Sequence, residues 1–146
     1  MPTFSLSALV RALLVWLAII LAESVQGAAR RFLLDPDVEF AIRQFSVGVG
    51  VVVIFAITWA CFRWMRIRSD AGALAVGVLW AILTLAFELG LGSALGADRA
   101  RLLADYDLAH GGLMPLGLLA MALTPWIVRR LQYRRPDDLD QGAGRP

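Results

Sequence analysis

The sequence predicts an all-α integral membrane protein, a four-helix bundle whose two halves form parallel-repeat hairpins. Hydrophobic residues make up 59% of the chain, more than the roughly 45–50% apolar content of soluble domains. Four apolar stretches are each long enough, at about 1.5 Å per residue, to cross most or all of a hydrocarbon core of roughly 30 Å. At 146 residues the chain is one domain by length, with the four transmembrane helices at 1–131.

The first span is predicted at residues 8–26. Arg11, the apolar run after it and the small residues at 27–29 also resemble a secretory signal peptide with its cleavage site. The acidic Glu23 and the arginine pair that follows position 29 suit a retained helix better. We therefore expect a transmembrane helix here, with a cleaved signal as the alternative.

The second span is predicted at residues 40–64, and its helix begins before the membrane. The Asp-Pro-Asp sequence at 35–37 is typical of a helix start, because aspartate caps the first turn and proline fits the first helical position. We expect the helix to begin near Pro36. Glu39 and Arg43 are then one turn apart and can pair.

The third span is predicted at residues 71–91, with Ser69 and Asp70 capping its start. The connection after it contains leucines and a tyrosine that can lie against a bilayer surface. Residues 98–108 therefore predict a short interfacial helix.

The fourth span is predicted at residues 111–130 and is the shortest of the four. Pro125 is expected to bend it near its exit. Residues 132–146 combine proline, glycine and charge without periodicity, so they are predicted to form a disordered cytoplasmic tail.

All 14 basic residues are arginine, and they sort by membrane side. With four spans, the N-terminus, the connection between the second and third spans and the C-terminal tail share one face. That face holds nine arginines and the other holds five, so the positive-inside rule predicts that both termini are cytoplasmic. The tryptophans at 59, 64 and 126 fall at the same boundary, where amphipathic rings are favoured. The nine arginines are Arg11, Arg63, Arg66, Arg68, Arg129, Arg130, Arg134, Arg135 and Arg145.

A weak internal repeat relates the two halves. VWLAIILAE in the first span parallels LWAILTLAFE in the third, and the Thr-Trp pattern before Arg63 parallels the Thr-Pro-Trp pattern before Arg129. Such a repeat fits two hairpins related by an axis along the membrane normal. Chance similarity is the alternative, because tryptophan, leucine and alanine are common in membrane helices.

Small residues recur four positions apart in the second and third spans. The pairs are Ser46 and Gly50, Ala73 and Gly77, and Gly77 and Ala81. This spacing lets helix backbones approach closely in lipid. The alternative is that glycine and alanine are simply abundant in this chain.

Two carboxylates lie in the outer part of the predicted spans, Glu23 in the first and Glu88 in the third. Each shares a helix face with a tryptophan, Trp16 in one case and Trp80 in the other. An unpaired acid at the bilayer centre costs about 2.5–3.5 kcal/mol and less near the surface. We therefore expect both carboxylates to point into the bundle.

Arginines near the same membrane face are the expected partners of these acids. One interpretation is a structural ion-pair network without a ligand. The other is a site for a ligand, an ion or a proton on the same side chains. The predicted cluster comprises Glu23, Glu88, Arg30, Arg31 and Arg43.

A second candidate site lies at the outer mouth, before the fourth span. Asp107 and His110 are three residues apart, so on a helix both could face one metal ion or one water, and the pair suits acid–base chemistry. A single histidine leaves a transition-metal site short of ligands. The simpler interpretation is that the aspartates cap the fourth helix. The residues of this candidate site are Asp105, Tyr106, Asp107 and His110.

The rest of the sequence offers no reactive constellation. Cys61 is the only cysteine, so neither a disulfide framework nor a cysteine metal site is expected. Ser93 has no nearby base, and no glycine-rich phosphate loop follows a strand. We expect no catalytic residue, no metal and no cofactor, and membrane lipids rather than nucleic acid as partners.

LTLAFELG at residues 83–90 and DYDLAHGGLMPL at residues 105–116 resemble an uncharacterised family of small four-span bacterial integral membrane proteins. The shared features are a Phe-Glu pair that ends the third span and an Asp-Tyr pair before a glycine-led fourth span. The resemblance implies a multi-pass protein of the bacterial inner membrane, and it implies no activity.

Three functions remain open from the sequence. The leading hypothesis is a non-enzymatic accessory or binding subunit of a larger membrane complex or homo-oligomer, whose outer-face charge cluster fixes the fold and docks a partner or lipid. The alternative is a small proton- or ion-coupled transporter that uses Glu23 and Glu88. The third is an intramembrane enzyme with Glu88, Asp107 and His110 as acid–base groups.

Overall fold

The computed structural model describes residues 5–33, 39–96, 106–107 and 112–133, and the side chains of these residues except 30–33 and 39–44. This part of the chain is helical and contains no strand, so the all-α prediction is confirmed. We number the helices in chain order. They are α1 (Leu6–Leu33), α2 (Glu39–Met65), α3 (Asp70–Ala94) and α4 (Met114–Gln132).

Three of these helices are long and apolar enough to cross a membrane: Leu6–Ala29 of α1, Phe45–Met65 of α2 and Asp70–Ala94 of α3. The fourth helix, α4, is not among them. It has 19 residues, and its last turn carries Arg129 and Arg130, so fewer of its residues are apolar.

Neighbouring helices in the chain run in opposite directions. Gln26, towards the end of α1, donates a hydrogen bond to the hydroxyl of Ser46 in the first part of α2. Arg11, near the start of α1, donates a 3.1 Å hydrogen bond to the carbonyl oxygen of Trp64, near the end of α2. Two contacts in this order show that α1 and α2 are antiparallel.

The first and third helices run in the same direction. The indole Nε1 of Trp16 donates to the hydroxyl of Thr84 at 3.0 Å, and Nε1 of Trp80 donates to the carbonyl oxygen of Ala12 at 3.0 Å. Both bonds join residues that are 68 positions apart. The constant offset shows that α1 and α3 are parallel and fixes their relative height.

The fourth helix packs against α2 and α3. Arg129 at its end pairs with Asp70 at the start of α3, and Ala122 meets Gly77 one to two turns further along α3. The approach is so close that a Cβ on Gly77 would overlap the carbonyl oxygen of Ala122. Glycine is therefore required at this crossing. The spacing of small residues in the third span predicted such a close approach of helix backbones.

The core draws apolar side chains from all four helices and from the turn between α2 and α3. Outward faces are apolar as well, with Leu14, Val52, Ile82 and Leu119 exposed on the four helices in turn. A helix that is apolar all round is typical of a membrane span. The core residues are Ala12, Val15, Ile19, Ile54, Phe62, Met65, Ile67, Ala73, Val76, Trp80, Met121 and Val128.

The start of α3 agrees with the sequence prediction. The hydroxyl of Ser69 accepts a hydrogen bond from the backbone N–H of Gly72 at 3.0 Å, which is the geometry of an N-cap. The predicted start of α2 at 35–37 lies outside the described residues, and α2 is described from Glu39 onward.

The start of α4 differs from the prediction that aspartates cap it. The N-cap is Leu113, with no side-chain capping bond, and a proline occupies the first turn. Asp107 instead accepts a hydrogen bond from the N–H of Gly112 through its backbone carbonyl, at 2.8 Å. Asp107 lies seven residues before Met114 in the sequence and does not occupy the N-cap position.

The end of α4 extends into the segment predicted as a tail. Gln132 is its last residue, and the side-chain amide of Gln132 donates to the carbonyl oxygen of Trp59 at 2.8 Å. The ring of Tyr133 meets that of Phe62 edge-on, with centroids 6.5 Å apart. These two residues continue the packing because each has a partner on α2. Residues 134–146 of the predicted tail, and most of the predicted interfacial helix at 98–108, lie outside the described residues.

Candidate functional site

The two predicted carboxylates lie at similar heights on the parallel helices α1 and α3. Glu23 follows Leu6 by 17 residues and Glu88 follows Asp70 by 18, which corresponds to about 26 and 27 Å along the helices. The offset of 68 residues between α1 and α3 makes Glu88 level with Ile20, within one turn of Glu23. The charge of Glu88 is close enough to act on that of Glu23.

Glu23 is half-buried and packs against the backbone of α2. A Cβ placed on Gly50 would lie 2.8 Å from Oε2 of Glu23 and 3.4 Å from its Cδ and its Oε1. Only glycine leaves this space at position 50. The absence of a side chain there is what allows the carboxylate to lie between α1 and α2.

One turn further along α1, Gln26 contacts the same face of α2. Its Nε2 donates to the carbonyl oxygen of Ser46 at 2.9 Å and to the hydroxyl of Ser46 at 3.3 Å. Ser46 and Gly50 are the small residues that the sequence places four apart. In the structure they form the surface of α2 that receives the two polar side chains of α1.

Glu23 and Gln26 each keep a side-chain oxygen for which the described residues supply no hydrogen-bond donor. These atoms are Oε1 of Glu23 and Oε1 of Gln26, and both are buried. A buried acceptor without a donor is unfavourable. Uptake of a proton, a cation or a hydrogen-bond donor would therefore lower the free energy of the site.

The predicted arginine partners belong to the same end of the molecule. Arg30 and Arg31 lie in the last turns of α1, because the helix continues to Leu33, and Arg43 lies in the first turns of α2. The side chains of all three lie outside the described residues. The α2 residue in contact with Glu23 is Gly50, seven residues beyond Arg43 and so about 10 Å further along α2.

A chain of polar contacts joins α1, α3 and α4 below the carboxylates. Thr84, which accepts the hydrogen bond from Trp16, donates its own hydroxyl hydrogen to Sδ of Met121 at 3.1 Å. Trp80 is fully buried and bonds the backbone of α1. The tryptophans that share a face with the two acids in the sequence therefore fix α1 against α3, which in turn positions Glu23 and Glu88.

The second candidate site is described only in part. Tyr106 is half-buried and Asp107 is exposed, whereas Asp105 and His110 lie outside the described residues. The predicted juxtaposition of Asp107 and His110 stays a prediction.

The opposite end of the molecule has a polar network that the sequence analysis missed. Asp70 pairs with both Arg129 and Arg130, and Arg129 donates from Nη2 to the carbonyl oxygen of Arg68 at 2.8 Å. The guanidinium of Arg130 stacks 4.6 Å above the ring of Trp126. The available signal was the charge opposition between Asp70 and the arginine pair, on segments predicted to share one membrane face.

The site at the end of the molecule opposite Asp70 thus consists of Glu23 and Gln26 on α1, Gly50 and Ser46 on α2, and Glu88 on α3. The sequence analysis identified both acids and both small residues but not Gln26. Its position one turn after Glu23, in a mostly apolar span, was the signal that could have identified it. Comparison of the chain with protein-family models, with curated proteins and with solved structures found no match.

Proposed function

We propose that this chain is a four-span helical bundle of a bacterial inner membrane that acts as a non-enzymatic accessory or binding subunit, with both termini in the cytoplasm. Its binding site is the acidic pair of Glu23 and Glu88. We propose that this pair receives a positively charged group near the outer face, and that the group belongs to a partner protein of a larger membrane complex.

The observation that carries this proposal is the buried Oε1 of Glu23, for which the described residues supply no donor. Glu88 adds a second negative charge beside it. A carboxylate away from water is costly unless it is paired, and a like charge nearby increases that cost. A positive charge placed beside Glu23 lowers the free energy of its carboxylate.

The exposure of Glu88 supports binding from outside the helices. Glu88 is exposed on α3, whereas Glu23 is half-buried between α1 and α2. A cationic side chain on a neighbouring helix can approach from the exposed side. An arginine is well suited, because its planar guanidinium bonds a carboxylate in a bidentate manner.

The order of contacts along α4 supports the fourth span. This helix runs antiparallel to α3, with Arg129 against Asp70 and Ala122 against Gly77. A membrane crossed by α3 therefore also surrounds α4, although α4 alone is less apolar than the other helices. Four spans and the distribution of arginines support cytoplasmic termini.

Purification from native membranes tests the binding role. We expect the wild-type protein to co-purify with a partner. The Glu23→Gln and Glu88→Gln proteins should retain about tenfold less of that partner. Glutamine keeps the shape of the side chain and removes only the charge. The matched control is Glu39→Gln, the same change at an acid outside the pair, which should keep the partner.

Two results would contradict the binding role. One is a wild-type protein that migrates as an isolated monomer without a partner. The other is a complex that the two variants at the acidic pair retain at the wild-type level.

Proton- or ion-coupled transport is the second candidate. The favouring observation is that three oxygen-bearing groups, Glu23, Gln26 and Glu88, belong to one site, since carboxylate and amide oxygens bind hard cations and a carboxylate pair can share a proton. Proteoliposomes with an imposed pH or cation gradient test it. A transporter loses its flux in the Glu23→Gln and Glu88→Gln proteins, and a flux that is equal in all three proteins excludes transport through this site.

A further inference from the structure

The end of the molecule opposite the acidic pair carries residues 63–69, which comprise the end of α2 and its connection to α3, and which we call the turn. Its side chains alternate between the core and the surface. Met65 and Ile67 are buried, whereas Trp64, Arg66 and Arg68 are exposed. The two buried residues anchor the turn, so Arg66 between them projects outwards.

The backbone of this turn is held in an unusual conformation. Arg66 has a φ of 57°, in the left-handed region that non-glycine residues rarely adopt. Such a conformation persists only where the surroundings hold it. Here the carbonyl oxygen of Trp64 accepts from Arg11 and that of Arg68 accepts from Arg129, so both sides of Arg66 are tied to other helices.

The exposed arginines of the turn have no counter-charge among the described residues. Arg63, Arg66 and Arg68 are exposed, and their side chains form no ion pair or hydrogen bond within the described part of the chain. Asp70, the acid next to them in sequence, already pairs with Arg129 and Arg130. The turn therefore presents, from a fixed backbone, three positive charges that no acid in the described ranges compensates.

We propose that this turn binds the phosphate headgroup of an anionic phospholipid in the adjacent leaflet. The candidate spans of α2 and α3 end at Met65 and begin at Asp70, which places the turn at headgroup height. Trp59 and Trp64 are 43% and 50% exposed at the same level, as expected for side chains at a membrane interface. Guanidinium groups bind phosphate oxygens in a bidentate manner, and basic residues beside a span attract anionic lipids.

The lipid site depends on the membrane location in the proposed function and is independent of the acidic pair. Glu23 and Glu88 lie about five turns away along their helices. Failure of the partner experiment and failure of the lipid experiment are therefore distinguishable, because Glu23→Gln and Glu88→Gln should leave lipid binding at the wild-type level.

Native mass spectrometry of the full-length protein, titrated with phosphatidylglycerol or phosphatidylcholine, measures the preference for anionic lipid. A surface arginine contributes roughly fivefold to the affinity for anionic lipid, so the triple variant Arg63→Gln, Arg66→Gln, Arg68→Gln should lose about a hundredfold. The control removes three arginines from the C-terminal segment, at 134, 135 and 145, which is the same change in net charge, and it should lose only about tenfold. Equal losses in both triple variants would show attraction by net charge alone and would overturn the proposal.

A single variant separates lipid binding from folding. Arg66→Gly removes one charge and also relieves the left-handed backbone, which glycine adopts without strain. We expect an unfolding temperature in phosphatidylcholine nanodiscs that is equal to or above that of the wild type, together with a roughly fivefold lower affinity for phosphatidylglycerol. An unchanged affinity for phosphatidylglycerol in this variant would overturn the proposal.

Discussion

Gly50 and Gly77 both lie at helix contacts, and their surroundings differ in one respect. At Gly77 the neighbouring atoms are backbone atoms of Ala122, whereas at Gly50 they are the carboxylate atoms of Glu23. Backbone in a packed helix cannot move away without separating the helices, but the end of a long side chain can rotate. The same substitution should therefore affect stability at one position and binding at the other.

Gly77→Ala should destabilise the protein, because the new Cβ overlaps the carbonyl oxygen of Ala122 and forces α3 and α4 apart. Overpacking of this kind costs about 1–3 kcal/mol or more. Gly90→Ala is the control on the same helix, since nothing lies within 4 Å of its added Cβ, and it should be neutral or stabilising by up to about 1 kcal/mol. Denaturant unfolding in detergent micelles measures both, and equal stabilities would contradict the close contact.

Gly50→Ala should change the free energy of unfolding by less than about 1 kcal/mol, because the clash at 2.8 Å is with the flexible end of Glu23 and alanine is the better helix former. The displaced carboxylate should weaken partner association by about tenfold. Gly48→Ala, with nothing within 4 Å of its added Cβ, should leave the association intact. Co-purification from native membranes compares the two, and equal retention would show that the position of the carboxylate is unimportant.

The helices are held together by charge at the end where α3 begins and α4 ends, and by hydrogen bonds and apolar packing at their centre. The start of α3 is fixed by the Ser69 cap and by the pairs of Asp70 with Arg129 and Arg130. These ion pairs are partly exposed, with side-chain exposures of 22–59%. Solvent therefore screens them and limits their contribution.

Asp70→Asn should lower the free energy of unfolding by about 1 kcal/mol, because two partly screened ion pairs with α4 are lost together. A double-mutant cycle with Arg129→Gln should give a coupling energy of about 0.5–1 kcal/mol that decreases at high salt. Denaturant unfolding at two salt concentrations measures it. A coupling energy that is independent of salt would indicate packing rather than charge.

The sequence predicts the elements better than their contacts, for a physical reason. Apolar runs and the Ser69 cap are local signals, so α3 begins where the pattern places it. The first helix continues to Leu33, past its predicted span, because a single glycine at position 27 costs only about 1 kcal/mol and good helix formers, alanine and arginine, follow it. In contrast, the bond between Trp16 and Thr84 depends on the relative rotation and height of two helices, which a linear pattern does not contain.

The same distinction applies to the candidate site. The cost of a charge in lipid predicts that both acids turn towards protein. Glu23 is half-buried against α2, whereas Glu88 is exposed on α3, which differs from that expectation. The contact of Glu23 with Gly50 and the neighbouring contact between Gln26 and Ser46 follow from the antiparallel register of α1 and α2. That register arises only when the helices pack.

For the whole molecule, the contacts bring the end of α4 beside the end of α2 and the start of α3. Gln132 bonds the backbone of Trp59, and Arg129 bonds Asp70. Ser5 at the start of α1 lies at this end too, since Arg11 bonds Trp64. If α3 crosses the membrane, residues 5 and 133 lie on one side of it. Leu95, which follows α3, lies on the other side.

Single cysteines in a Cys61→Ala protein test this arrangement, because Ser5, Leu95 and Tyr133 are all exposed and accessible to a membrane-impermeant maleimide. In intact spheroplasts Leu95→Cys should react, whereas Ser5→Cys and Tyr133→Cys should react only after permeabilisation. Reaction of Tyr133→Cys in intact spheroplasts, with Ser5→Cys still protected, would place α4 on the outer surface. That result would require the pairing of Arg129 with Asp70 to break in the membrane, because α3 and α4 could then no longer cross it side by side.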